Sequence, residues 1–286
     1  MMTKKKSILR FLVTFPIIVY SLTLILIPIL YVIFLSFCKS DSFGGIEYAV
    51  TLENYKMIFD AIYIKILLKS FLIGLITTII CICISYPFSI FLMDKSETKR
   101  NLLIKLVMIP FLTNSLIRTY GWIVLLRKSG VINTALTGMH ITNGPLNLMY
   151  NTGGIIVGMV YTLLPFMILP VYSAISKMDW KLTEAAKDLG ANKFHTFTKV
   201  IIPETIAGVF NGSLMVFIPA IGYFFISDIL GGGKIMIIGN LIKNQFLTAR
   251  NWPFGAAISI FLILLTFLLI KIYKKLGGKL DELGGF

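Results

Sequence analysis

Residues 184–203 read EAAKDLGANKFHTFTKVIIP, a charged stretch punctuated by alanine and glycine that lies between two long apolar runs. Helix signals organise it. Asp179 to Leu189 favour a helix, Gly190 is a stop that tolerates a left-handed backbone, Asn192 is placed to cap a second short helix, and Pro203 is expected to close it. The expectation is a helix-turn-helix hairpin in water. Ala185 and Ala186 are too small to fill a core but let another surface approach the backbone, while Glu184, Lys187 and Asp188 set the register of such a contact. The stretch reads as a docking knob.

What flanks it is membrane. The chain is 57% hydrophobic, its mean hydropathy is +0.86, and only 14% of residues are charged, against about a quarter in soluble domains. A spanning helix needs about 20 apolar residues. Runs of that kind lie near 11–37, 66–93, 102–126, 155–176, 205–227 and 254–273, so an all-α protein with six spans is expected. Pro110, Pro165, Pro170 and Pro219 fall inside these runs, where proline frees a carbonyl that neighbouring helices must satisfy again. Pro110, Pro165 and Pro219 are held as gating or structural candidates, together with Arg118, which falls within the third run.

Lysine and arginine in the connecting segments set orientation. With the N-terminus inside, Lys4, Lys5, Lys6, Arg10, Lys95, Lys99, Arg100, Lys105, Lys177, Lys181, Lys187, Lys193, Lys199, Lys271, Lys274, Lys275 and Lys279 share one side; Lys39, Lys56, Lys65, Lys69, Arg127, Lys128, Lys234, Lys243 and Arg250 share the other. Both termini and the Glu184 loop are thus expected to face the cytoplasm. Residues 1–10 form the cytoplasmic N-terminus, 11–273 the six-span domain with its cytoplasmic loop at 177–203, and 274–286 a cytoplasmic tail.

Other functions find little support in the residues. The net charge of +14 is scattered through short loops, which suits membrane topology better than nucleic acid. The basic N-terminus precedes an apolar run too long for a cleaved leader and is read as an uncleaved first span. Leu230-Gly231-Gly232-Gly233-Lys234 lacks the spacing of a phosphate loop and reads as a flexible external loop. His140 and His195 have no partners at ligand spacing, and Cys81 and Cys83 point to different helix faces, so no metal site, cofactor or catalytic residue is expected. An ion-coupled secondary transporter needs intramembrane carboxylates, yet only Asp228 and Glu204 come near the description, both at span ends.

Glu184, Ala185, Ala186 and Gly190, then nine residues, then Val200, Ile202 and Pro203 resemble the EAA loop of ABC-importer permeases, with Val200 and Ile202 as conservative departures. In that family the loop is a coupling helix that fits a cleft in a cytoplasmic ATPase, which implies an ATPase-coupling role for Glu184, Ala185, Ala186, Asp188, Gly190 and Pro203. Thr51-Leu52-Glu53-Asn54-Tyr55, Ile109-Pro110-Phe111, Ser115 to Trp122, Leu164 to Pro170, Phe217-Ile218-Pro219-Ala220 and Leu230-Gly231-Gly232 are similar to the polyamine permeases of that family. The resemblance implies a MetI-like type I importer permease in a bacterial cytoplasmic membrane. It also implies a second, related permease, two copies of an ABC ATPase, and an extracytoplasmic polyamine-binding protein; sister permeases for iron, thiamine or phosphonates share the architecture. A polyamine pathway needs carboxylates, carbonyls or aromatic faces. Tyr120, Trp122, Tyr161 and Tyr223 are the aromatic candidates, with Phe224 beside them, and Asp228 is the best-placed acid.

Overall fold

The computed structural model describes residues 2–41 and 44–275, so the distal part of the tail, with Lys279, lies outside the described residues. Among the described residues five helices are long and apolar enough to cross a membrane, or six if one sharply bent pair counts as a single span. Two compact units result, one from Met1–Tyr63 with Ile242–Leu265 and the other from Ile64–Leu241 with Thr266–Phe286.

In the first unit α1 (Met2–Ser36) already begins at the second residue, and its spanning part is Thr14–Ser36. It ends where local hydrogen bonds replace helical ones. Ser36 Oγ donates to the Ile33 carbonyl at 2.6 Å and pairs with the Tyr55 hydroxyl at 2.7 Å. A two-stranded antiparallel hairpin follows, β1 (Cys38–Ser40) and β2 (Ile46–Val50), with a register shift between Cys38 and Lys39. The short α2 (Glu53–Met57) carries Asn54, whose Nδ2 donates to the carbonyls of Ser36 at 3.1 Å and Cys38 at 2.8 Å. The Thr51–Tyr55 stretch therefore satisfies buried backbone groups at a helix end. Burial pushes the Cys38 thiol above its ordinary 9.0.

In the second unit α3 (Ala61–Met93) is continuous across Pro87. The third expected span is not continuous. The helix α4 (Glu97–Met108) passes into a 3-10 turn at Ile109–Leu112, and α5 (Ser115–Leu126) with α6 (Val131–Gly138) leaves at 95° to it. The break has local causes. Pro110 occupies the start of the 3-10 turn, Thr113 is extended with its hydroxyl donating to the Pro110 carbonyl at 2.7 Å, and Asn114 Oδ1 accepts from the Leu116 N–H at 2.8 Å as the cap of α5.

The centre of this unit is the pair α7 (Thr152–Lys177) and α10 (Ile202–Gly222), α7 carrying Pro165 and Pro170 as expected. Gly208 and Gly212 let the two backbones meet. An added Cβ at Gly208 would lie 2.5 Å from the Ala174 Cβ and 2.6 Å from the Pro170 carbonyl oxygen, and one at Gly212 would lie 2.6 Å from Met167 sulfur. Small residues permit such close approach between membrane helices. Between them in sequence come α8 (Lys181–Asp188) and α9 (Lys193–Thr196). The fifth expected span ends early: α10 stops at Gly222 after Pro219, Tyr223 breaks the helix, and α11 (Phe224–Gly231) starts anew. The chain closes with α12 (Ile238–Leu247) and α13 (Trp252–Lys275). Leu230 and Gly231 are not loop but the buried last residues of α11; Gly232, at φ +62°, is the left-handed cap beside Tyr150, and Gly233 and Lys234 follow in an exposed turn.

Candidate functional site

The quoted hairpin has two short helices as expected. α8 begins where Asp179 Oδ1 accepts from the Lys181 N–H at 3.0 Å, and it ends in a Schellman turn, with the Ala191 N–H donating to the Ala186 carbonyl and the Gly190 N–H to that of Lys187, both at 2.9 Å. Gly190 has φ +83°. Asn192 Oδ1 caps α9 by accepting from the His195 N–H at 2.8 Å. Glu184, Ala185, Lys187 and Asp188 are exposed, and Ala186 is half-buried. Glu184 sits in the first turn of α8 and Lys187 in the last, the placement a helix dipole favours. Thr183 faces inward, its hydroxyl bonded to the Trp180 carbonyl at 2.7 Å.

Two neighbours of Gly190 escaped the sequence reading. Leu189 is 89% exposed and Phe194 is 71% exposed, so large apolar side chains flank the turn on a hairpin that otherwise presents charge.

Pro203 does not close the second helix. Phe197–Ile201 forms a π turn, and Pro203 falls in the first turn of α10, so helical backbone runs from Lys193 through Gly222. Inside helical backbone a proline offers no N–H and its ring crowds the carbonyl four residues earlier; for Pro203 that is Lys199, which lies in the π turn where the helix is widened. The exit of the hairpin is fastened to α3. The Tyr86 hydroxyl meets Thr205 Oγ1 at 2.9 Å, Thr205 Oγ1 donates to the Ile201 carbonyl at 2.6 Å, and the Tyr86 ring stands edge-on to Phe197 at 5.4 Å. Nothing in the local pattern pointed to Tyr86, because its partners lie more than a hundred residues away.

A second constellation surrounds Arg118. Its guanidinium carbon lies 5.0 Å from the Phe111 ring centroid and 6.0 Å from that of Tyr161. Trp122 stands edge-on to Tyr161 at 5.3 Å, and Phe111 edge-on to Phe166 at 4.8 Å. Nε and Nη1 of Arg118 are buried and have no hydrogen-bond acceptor among the described residues. Of the pathway candidates, Trp122 and Tyr161 are thus brought together, while Tyr223 lies at the break between α10 and α11. Tyr120 is not part of this group and is 58% exposed. Asp228 lies in a separate polar knot in which Asn240 donates to its carboxylate at 2.6 Å and to the Phe224 carbonyl at 3.1 Å. In the sequence Phe111 and Phe166 stand out only as members of the stretches similar to polyamine permeases.

The model of the binding-protein-dependent transport system inner membrane component family matches residues 5–281, and the chain belongs to that family. It is 46% identical over 259 residues, covering 90% of each chain, to the spermidine/putrescine transport system permease protein PotB of Haemophilus influenzae. It is 42% identical over 258 residues to PotB of Escherichia coli, covering 90% of this chain and 94% of that protein. A chain in the crystal structure of a bacterial alginate ABC transporter, in complex with alginate pentasaccharide-bound periplasmic protein, superposes with a TM-score of 0.74 at 14% identity, covering 94% of this chain and 93% of that one. The fold is that of MetI-like importer permeases, and the chain is a multi-pass membrane protein.

Proposed function

We propose that this chain is a transmembrane permease subunit of an ABC importer for polyamines, with spermidine and putrescine as substrates. It is not an enzyme; its energy comes from a cytoplasmic ATPase present in two copies, one of which docks on this chain's hairpin at Glu184, Ala185, Ala186, Asp188 and Gly190, with Pro203 at the hairpin's exit. A second, related permease completes the pathway in the lipid bilayer, and an extracytoplasmic binding protein delivers the substrate. Both termini and the hairpin face the cytoplasm, as the lysine and arginine distribution favours.

The observation that carries the mechanism is the exposed hairpin whose exit helix continues unbroken into α10. ATP binding closes the ATPase dimer and moves the hairpin. Because α9 and α10 share one helical backbone, that movement reaches the pairing of α10 with α7 and, through Tyr86 and Thr205, α3. The spans rearrange to open the pathway outward, and hydrolysis resets them. Support for polyamines as cargo is the likeness to the two spermidine/putrescine permeases over nine-tenths of the chain.

The test is ATP-dependent uptake of radiolabelled spermidine and putrescine by membranes containing this chain with its sister permease, ATPase and binding protein. Uptake that a Glu184→Lys, Gly190→Val double variant loses is the expected result. Failure of the intact complex to take up either amine, with the ATPase still bound, overturns the cargo and leaves the permease.

A further inference from the structure

Two helix breaks come close to Arg118. The 95° bend at Thr113–Asn114 places it in the first turn of α5, and α5 packs on α11, which starts just after the second break at Tyr223. Irregular backbone at membrane depth is tolerated where protein covers it or where it lines a cavity, and transporters bind cargo at such broken helices. Arg118 is an unfavourable residue for the place. A positive charge in a first turn faces the positive end of its helix, and two of its nitrogens are buried without acceptors among the described residues.

What holds the guanidinium is aromatic. Phe111 and Tyr161 present ring faces to it at 5.0 and 6.0 Å, and each ring is braced edge-on by another, Phe166 and Trp122. A ring face that attracts a guanidinium attracts an alkylammonium by the same quadrupole. The site is therefore a receptor for organic cations that is already filled by one on a tether.

We propose that Arg118 is an internal occupant of a cation site formed by Phe111 and Tyr161, and that an amine in transit displaces it from the rings; the inference rests on the polyamine reading above. In the resting state the guanidinium keeps the site closed to free amines. Its unsatisfied N–H groups make the latch poised, because leaving the rings lets them reach water or a carbonyl. An amine released into the pathway takes the vacated faces, and return of Arg118 expels it by like-charge repulsion.

The test uses the complete transporter in proteoliposomes, with radiolabelled spermidine as the probe. Without nucleotide or binding protein, an Arg118→Ala complex should retain at least about tenfold more spermidine than wild type, while Arg118→Lys, which keeps a cation on the tether, should match wild type. Equal retention by the alanine variant and wild type, in complexes of equal integrity, overturns the proposal. A second measurement needs no variant: phenylglyoxal modification of Arg118, read by mass spectrometry of the wild-type chain, should quicken several-fold when ATP and spermidine-loaded binding protein drive turnover. Unchanged modification in a preparation that transports spermidine refutes displacement, and this measurement alone decides if the alanine variant fails to assemble. A wild-type complex that transports no spermidine refutes the polyamine reading itself, and that result is visible before any variant is compared.

Discussion

Replacing Gly190 isolates one physical effect, because a Cβ added there meets no atom within 4 Å while the backbone sits at φ +83°. Steric contact inside the chain is removed as a cause, and only the cost of a left-handed conformation remains. For an ordinary L residue that cost is about 1 kcal/mol, rising to roughly 2 kcal/mol for a β-branched one. The same turn holds the Ala191–Ala186 and Gly190–Lys187 hydrogen bonds, so a backbone that relaxes out of it also frees two carbonyls at the end of α8. If the proposed ATPase dock requires the left-handed form, the docking equilibrium should weaken about fivefold for Gly190→Ala and about thirtyfold for Gly190→Val, at about 1.4 kcal/mol per factor of ten. Gly190→Asn should stay near wild type, because asparagine visits this region readily. Co-purification of the ATPase and ATP-driven spermidine uptake in the same membranes are the assays. Wild-type behaviour of Gly190→Val in both would refute the argument; so would damage from Gly190→Asn equal to that from Gly190→Val, which would place the effect in a side-chain clash with the partner.

Gly208→Ala should lower the thermal midpoint of the detergent-solubilised protein by several degrees, because its Cβ would meet Ala174 and the Pro170 carbonyl at 2.5 and 2.6 Å, and overpacking of this kind costs about 1–3 kcal/mol. Tyr86→Phe should cost about 1 kcal/mol by deleting the hydroxyl's bond to Thr205 while keeping the ring against Phe197; a shift as large as that of Tyr86→Ala would show that the ring adds nothing. Cys38, 3% exposed and with its thiol pushed up from 9.0 by burial, should react with maleimide at pH 7–8 more slowly than in the denatured chain. Because the folded state holds that thiol's proton more tightly, the contribution of Cys38 to stability is intact below about pH 9 and is lost above it, which a pH series of thermal midpoints checks.

Signals that act over a few residues were readable without coordinates. Gly190 and Asn192 end and begin helices through bonds to their own neighbours, and the long apolar runs around α1, α3, α7 and α13 need only their composition. The run at 102–126 misled because hydropathy averages over Thr113 and Asn114, whose side chains bond to nearby backbone and turn the chain by 95°. Pro203 misled for a different reason: a proline usually ends a helix from within, but here the helix is widened by a π turn just before it and continues, and that turn has no sequence mark. Trp122 and Tyr161 could be nominated by residue type alone. That Phe111 joins them around Arg118 depends on a fold that brings residues about fifty positions apart together.

The unbroken backbone from Lys193 to Gly222 also makes the segment a rotational gauge. Each residue in a helix advances its facing by about 100°. One residue inserted between Thr196 and Thr205 would swing Gly208 and Gly212 off the α7 surface, or else turn the whole hairpin by that angle relative to the spans. Deletions do the same in the other sense, whereas substitutions on the exposed side leave the phase alone. This stretch should therefore tolerate changes of letter but not of length, the reverse of what is usual where a chain leaves the membrane for water.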